Sequence, residues 1–244
     1  MSERPIAISV DDLTVKYGDF VAVENVSFKV FSNEVFGLLG PNGAGKTSIL
    51  RVLTTLMKPA HGKAVVAGCD VAKDVKTVRP LIGVVPGSYA LYDYLTAREN
   101  LQFFSNPYHL AKELQNENID RVSAILGIQD RLDDKIITFS SGMKQKISIA
   151  CALIHDPKFV FMDEPTIGLD PKIRRIIWKL ISGLKERMTI FMTTHYLEEA
   201  EQICDRVAII DRGRLVAQGN PLELNQLHKV QSLEEVFIKC TGEE

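Results

Sequence analysis

The sequence predicts an α/β fold, and three observations carry that prediction. Apolar runs of strand length, FVFM and TIFMTT, flank an amphipathic helical pattern over 171–186, and such strand-helix-strand alternation pairs strands in parallel. The opening stretch, IAISVDDLTVKYGDFVAVENVSFKV, is rich in Val, Ile and Phe with partial alternation, as antiparallel strands are. From about 88 to 157 the pattern turns mostly helical, so one α/β core interrupted by a helical insertion is expected.

Each element follows from its residues. In the opening stretch Leu13, Val15 and Tyr17 can share one strand face, as can Val26, Phe28 and Val30. EVFGLLG reads as a short buried strand. The helix expected over roughly 45–57 is apolar on most sides (Ile49, Leu50, Val52, Leu53, Leu56), which predicts an enclosed helix. AVVAG and LIGVV are further strands. TARENLQFF, ENIDRVSAILGI and SGMKQKISIACALIH supply the helices of the insertion. RVAIID and RLVAQG, joined by Asp-Arg-Gly, form a closing hairpin, and the tail PLELNQLHKVQSLEEVFIKC holds two short helices. The expected division is a core at 1–87 and 158–220, the helical insertion at 88–157, and a C-terminal tail at 221–244.

Composition narrows the class. The chain has 244 residues, is 45% hydrophobic and 25% charged, and carries a net charge of -2, so no basic field points to nucleic acid, and none is expected as a partner. The local basic cluster PKIRRIIWKLISGLKER is the solvated face of a helix whose Ile173, Ile176, Ile177, Leu180, Ile181 and Leu184 face inward. The four cysteines, at 69, 151, 204 and 240, have no CxxC spacing, so neither zinc nor a redox motif is indicated, and a reducing compartment fits. MSERPIAISV lacks an apolar signal core, and no stretch has the run of apolar residues that a membrane span needs. A role at a membrane would require another chain to cross it.

The chemistry concentrates at strand ends. GPNGAGKT, residues Gly40, Pro41, Asn42, Gly43, Ala44, Gly45, Lys46 and Thr47, matches G-x-x-x-x-G-K-[ST], with a buried strand before it and an enclosed helix after it, and these residues with the following Ser48 are the expected phosphate-binding group. The glycines allow backbone N–H groups to turn inward as an anion nest, and the helix N-terminus adds positive potential there. Lys46 brings an ammonium to the terminal phosphates of a bound nucleotide, and Thr47 offers a hard oxygen to Mg²⁺. In FVFMDEP, Asp163 and Glu164 emerge at a strand end. Adjacent strand residues point to opposite faces, so the two carboxylates divide the work: Asp163 holds the metal and Glu164 takes a proton from attacking water. TIFMTT ends at His195, a third polar feature at a strand end, read as a γ-phosphate contact.

With GPNGAGKT, FSSGMKQK, FVFMDEP, IGLD and TTH in that order, nearly the whole chain resembles the ATP-binding-cassette (ABC) ATPases. The resemblance implies a P-loop NTPase (RecA-like) core with an N-terminal antiparallel β subdomain and an inserted α-helical subdomain. It also implies a signature helix start at Phe139–Met143, a D-loop at Ile167–Asp170, a switch role for His195 and an adenine-stacking role for Tyr17. In this family cassettes pair head to tail, so Ser140, Gly142 and Asp170 are expected at the nucleotide of a second cassette. The residues do not choose between a homodimer and a heterodimer.

The sequence departs from the family at two positions. Gly87, at the end of LIGVVPG, stands where the family usually has a Gln that reaches Mg²⁺ and the attacking water; Ser88 follows it with a shorter side chain. Ser141 stands where the signature normally has its first Gly, and its Cβ is expected to crowd the γ-phosphate or to demand a different backbone angle. Slowed hydrolysis or weakened coupling is the hypothesis, with ATP binding kept.

Three functions follow from the resemblance. SGMKQK, TTHYLEEAE and SLEEVFIKCTG look like the exporter branch, which implies an ATP-hydrolysing subunit, peripheral at the cytoplasmic face of a membrane, working with a separate membrane-spanning permease. Tyr89, Tyr92, Tyr94, Phe103 and Phe104 would line a groove for that partner's cytoplasmic helix. The alternatives are an ATP-binding regulatory cassette with weak hydrolysis and a soluble ABC ATPase outside transport. The cargo and the direction of transport are not written in this chain.

Overall fold

The computed structural model describes residues 4–242; the expected ranges 1–87 and 221–244 each include a few terminal residues, 1–3 and 243–244, that lie outside the described residues. Two long strands, β1 (Ile6–Tyr17) and β2 (Phe20–Phe31), open the chain as an antiparallel pair with Val10 opposite Phe28 and Val15 opposite Val23. The alternation is only partial because both strands shift phase. Ile8 and Val10 are buried, then Leu13 and Val15, with a register irregularity between them where Asp12 takes a φ of 49°. A bulge of this kind restores the apolar face after an extra residue. Tyr17 does not stay on that face with Leu13 and Val15: it is exposed at the strand end.

β3 (Val35–Leu39) is buried along its whole length. α1 (Lys46–Leu53) follows and is enclosed as expected, but it stops short of residue 57. The Thr54 hydroxyl turns back to the Leu50 carbonyl at 2.8 Å and Thr55 adopts a φ of 62°, so the helix cannot continue. Leu56, expected inside, is consequently 67% exposed. The chain continues through β4 (His61–Val66), β5 (Cys69–Asp70), α2 (Val75–Val78) and β6 (Ile82–Val85). Three helices come next: α3 (Ala97–Ser105), α4 (Lys112–Leu126) and α5 (Ser141–Leu153). A capping box starts α3, with Thr96 accepting from the Glu99 N–H and Glu99 from the Thr96 N–H.

The parallel half closes with β7 (Phe159–Asp163), α6 (Pro171–Leu184), β8 (Thr189–Thr194), α7 (Leu197–Ile203), β9 (Arg206–Asp211) and β10 (Arg214–Gly219), then α8 (Pro221–His228) and α9 (Leu233–Thr241). Helix α7 was not expected from the sequence, since LEEAEQI has too few apolar residues to show a stripe. On α6, Ile177, Ile181 and Leu184 are buried, but Ile176 is exposed and Trp178 takes the inward position instead.

The strands form a four-stranded sheet, β2-β1-β4-β5, and a six-stranded sheet, β10-β9-β3-β8-β7-β6. In the larger sheet β9, β3, β8, β7 and β6 run parallel, and β10 returns antiparallel on β9. Between the sheets Phe28 meets Phe36 and Phe191 with ring centroids 5.4 and 5.9 Å apart. Each ring is almost fully removed from water, a contribution of roughly 2–3 kcal/mol apiece. On the opposite face, Leu101, Ile119, Val122 and Ile136 of the helical segment join one apolar cluster with Val85 and Met162 of the sheet. The parallel order brings the carboxyl ends of β3, β8, β7 and β6 side by side on one edge, where ligands of open α/β sheets bind. Among the described residues no helix is long and apolar enough to cross a membrane.

Candidate active site

The loop between β3 and α1 is shaped by its neighbours. Gly45, the residue before α1, has a φ of 104°, and a Cβ there would stand 2.7 Å from the Ala22 carbonyl, so both backbone angle and space call for glycine. Ala44 is buried behind the loop and ties it to the β9–β10 turn through the Gly213 N–H. Lys46 is buried at 5% exposure and its ammonium donates to Gly40 O at 2.7 Å and Pro41 O at 3.1 Å. The same ammonium lies 3.2 Å from Glu164 Oε1. A concave site of about 260 Å³ holds Tyr17, Pro41, Asn42, Gly43, Gly45, Lys46, Thr47, Ser48 and Glu164 together.

Asp163 ends β7. Thr47 Oγ1 lies 3.2 and 3.4 Å from its two carboxylate oxygens, and Thr193 Oγ1 donates to Oδ1 at 2.5 Å. A hydroxyl beside a carboxylate at a strand end is a hard-oxygen pair that fits Mg²⁺, an ion that takes one or two protein oxygens and fills the rest of its shell with water and phosphate. Glu164 is not on the strand. Its φ of 50° turns the chain, and its N–H donates to Thr193 O at 3.1 Å. The two carboxylates therefore diverge through a left-handed turn, which corrects the expectation that the pleat separates them. A left-handed φ at a non-glycine residue is costly and persists where the surroundings fix it. Glu164 Oε2 is paired with His195 Nδ1. His195 in turn faces a hollow of about 270 Å³ shared with Gly40, Pro41, Asn42, Leu197 and Phe237.

Tyr17 hydrogen-bonds to Ser48 Oγ and receives a bond from Arg51 Nη1, both at 3.3 Å. The Ser48 bond above all lowers the phenol pKa, against the effect of burial, with Arg51 adding to the lowering. The ring stays 42% exposed beside Phe20, itself 67% exposed, so two aromatic faces border the loop. Phe20, Thr193 and Arg51 were missed by sequence reasoning. Of these only Thr193 left a signal, in the paired threonines that end TIFMTT.

Ser140, Gly142 and Asp170 form a second group. Ser140 caps α5, its Oγ accepting from the Met143 N–H at 3.4 Å, and Asp170 caps α6 by accepting from the N–H groups of Lys172 and Ile173. The two helix starts touch: a Cβ at Gly142 would fall 2.6 Å from Ile173 Cγ2. Among the described residues no hydrogen bond joins this group to the loop. Ser141 occupies the first turn of α5 in ordinary helical geometry, so it demands no special backbone angle. The close approach of Ile173 leaves little room for a side chain at Gly142.

A groove of about 500 Å³ lies between β6 and the helical segment, lined by Pro86, Leu91, Phe104, Tyr108, Cys151 and His155 among others. Of the five aromatics expected there, only Phe104 contributes. Tyr92 and Phe103 pack edge to face at 4.6 Å beside it, and Tyr89 and Tyr94 are exposed elsewhere. Tyr108 stacks on His155 at 3.7 Å, and burial lowers the His155 pKa to about 4.

A profile of the family described as ABC transporter matches residues 23–167. Over 238 residues the chain is 39% identical to the probable multidrug ABC transporter ATP-binding protein YbhF of Escherichia coli (strain K12), covering 95% of this chain and 41% of that one. It is also 39% identical over 218 residues to the linearmycin resistance ATP-binding protein LnrL of Bacillus subtilis (strain 168), covering 89% of this chain and 70% of the relative. A solved ATP-binding subunit of an ABC transporter superposes with a TM-score of 0.85 at 30% identity, over 96% of this chain and 99% of the other.

Proposed function

Since this chain belongs to the ABC transporter family, as an ATP-binding domain of a class that hydrolyses ATP, we propose that it powers export through a separate membrane-spanning partner. The observation that carries the catalytic part is the three-way contact of Glu164 with Lys46 and His195 beside the Thr47–Asp163 pair. In this reading the nest of residues 40–47 binds the phosphates and Lys46 neutralises the terminal ones. Thr47 and Asp163 would hold Mg²⁺, which supplies charge stabilisation to the transferring phosphoryl group. Glu164 accepts the proton of the attacking water, and His195, bonded to its other oxygen, holds that carboxylate in place and contacts the γ-phosphate. Tyr17 and Phe20 offer the adenine a stacking surface.

The second group completes a neighbour's site. Ser140, at a helix N-terminus, and Gly142 would face the γ-phosphate held by a second cassette, with Asp170 alongside. A head-to-tail dimer closed by nucleotide follows. The groove beside β6 would receive a cytoplasmic helix of the permease, its apolar lining matching one face of such a helix. In this reading the chain works at the cytoplasmic face of a membrane. The names of the relatives, multidrug and linearmycin resistance, support the export reading. As the chain spans less than half of the first relative, the activity of the whole transporter stays within this proposal. A regulatory cassette with weak hydrolysis is the second reading, favoured by Gly87, which leaves the strand end beside Asp163 without an amide.

Detergent co-purification with mass identification of the partner, together with ATP turnover with and without it, tests the proposal. Export requires a polytopic membrane protein that stimulates turnover. A chain that binds Mg-ATP, stays unstimulated and purifies alone would favour the regulator.

A further inference from the structure

Glu199 is fully buried on α7, and its hydrogen bonds go to Thr166 and Trp178, neither of them assigned above to phosphate, metal or water. Its Oε1 accepts two bonds, from Thr166 Oγ1 at 2.8 Å and from Trp178 Nε1 at 2.9 Å. The two donors belong to different segments. Thr166 is itself buried and lies two residues past Glu164, in a turn where the Ile167 N–H donates to Glu164 O and the Leu169 N–H to Thr166 O. Trp178 sits on α6, the helix that Asp170 caps. Glu199 belongs to a third segment, one helical turn after His195. A further tie runs parallel to these: the Arg174 guanidinium of α6 stands 4.6 Å from the centre of the Tyr196 ring, adjacent in sequence to His195.

A buried carboxylate is an expensive way to fill space, and an apolar side chain of similar size would pack there without the desolvation cost. Burial raises the Glu199 pKa, opposed by the Thr194 and Thr166 hydroxyls, the Trp178 indole and the Arg174 guanidinium. Its second oxygen, Oε2, is buried with no hydrogen-bond partner. An apolar residue could not reproduce the junction, in which one oxygen gathers donors from two segments onto a third. We infer that Glu199 is a positioning residue that joins the Glu164–Asp170 turn, α6 and the His195 segment into one unit, so that Glu164 and His195 stay in register with Asp170. The inference rests on the ATP-hydrolysing reading above.

Trp178 is the chain's one tryptophan, so its emission reports on the junction directly. Thr166→Val removes one donor at nearly constant shape and leaves the Trp178 bond untouched. It should lower kcat at saturating Mg-ATP about tenfold or more, with KM within roughly twofold, because a small misplacement of reacting groups costs rate more than binding. Glu199→Gln keeps the accepting oxygen and should retain kcat within about threefold and the parent emission maximum. Glu199→Ala should shift the emission and lose more activity than Thr166→Val. Should that variant fail to fold, Thr166→Val and Glu199→Gln decide the matter between them. An unchanged kcat in a Thr166→Val chain that binds Mg-ATP like the parent overturns the inference. A parent chain that fails to bind Mg-ATP overturns the underlying reading as well, and the two failures are told apart by the binding measurement.

Discussion

Gly87 makes a prediction in the direction of gain. It follows Pro86 just past β6, next to the end of β7, where Val85 pairs with Met162. A Cβ at position 87 would lie 3.8 Å from both Cβ and Cγ of Asp163 and 3.2 Å from its carbonyl oxygen. Gly87 is not in the left-handed region, so a side chain meets no backbone penalty. Any side chain at 87 therefore leaves the backbone over the Asp163 carboxylate, where the Thr47 hydroxyl also sits. A glutamine there would add an amide near the Thr47–Asp163 pair, where the proposed Mg²⁺ and attacking water would sit. One hydrogen bond gained in the transition state is worth about 1–1.5 kcal/mol, or roughly a tenfold rate increase. The 3.2 Å contact demands a shift of a few tenths of an ångström, and the loss of glycine's unfolded-state entropy offsets this by about 0.4–1 kcal/mol, so Tm should barely move. Phosphate release at saturating Mg-ATP is the assay, with Gly87→Ala as the control that adds the Cβ without the amide. Glutamine should raise kcat about tenfold over alanine. If glutamine equals or falls below alanine, position 87 does not limit hydrolysis and the argument fails.

Other consequences are as direct. Glu164→Gln removes the proton acceptor while keeping a polar group against Lys46 and His195; kcat should fall about 10²- to 10⁴-fold, with nucleotide affinity by calorimetry within a few-fold of the parent. Lys46→Ala takes away a buried ammonium with three oxygen contacts; Mg-ATP affinity should drop by about ten- to a hundredfold, the worth of charge-assisted bonds. Gly142→Ala drives a methyl against Ile173, and chemical denaturation should show a loss of about 1–3 kcal/mol. His155 gives a pH signature. Burial lowers its pKa from 6.5 to about 4 in the folded chain. Between those values the unfolded chain binds a proton that the folded chain refuses, so stability is full above the higher value and declines as pH falls towards the lower. By about pH 4.5 the decline should reach about 2.5 kcal/mol. His155→Phe, which keeps a ring against Tyr108, should lack that slope; parallel slopes for the two chains would assign the acid sensitivity elsewhere.

The fold was legible where local pattern and context agree. GPNGAGKT announced its own loop, and the apolar runs ending at Asp163 and His195 located two strand ends before any topology was known. Element limits were less visible. Helix α1 ends at Leu53 because Thr54 and Thr55 leave helical geometry, a choice made by two side chains inside an apolar pattern that otherwise runs on to Leu56. The bulge at Asp12 looked like imperfect alternation, although the two adjacent aspartates were its trace. Within the site, the roles hardest to read belonged to residues whose chemistry depends on a distant partner. Thr193 and Glu199 are an ordinary strand threonine and an ordinary helix glutamate until β8 lies beside β7 and α7 packs against α6.

The order of the sheet sets how the residues of the candidate site are held together. β8 lies between β3 and β7, so the segment that ends in His195 is bordered by the phosphate loop on one side and by Glu164 on the other. Thr193 donates its hydroxyl to Asp163 and accepts the Glu164 N–H on its carbonyl, which ties both carboxylates to the strand that leads to His195. A displacement of β8 would thus move Asp163, Glu164 and His195 together. The left-handed turn at Glu164 then makes mechanical sense: it aims the carboxylate back towards Lys46 at the cost of backbone strain, and the Thr193 contacts hold that strain in place. Were Glu164 in extended geometry it would follow the pleat away from the loop, and the ammonium, the base and the histidine would not meet. The position of β8 therefore bears on whether Lys46, Glu164 and His195 come together.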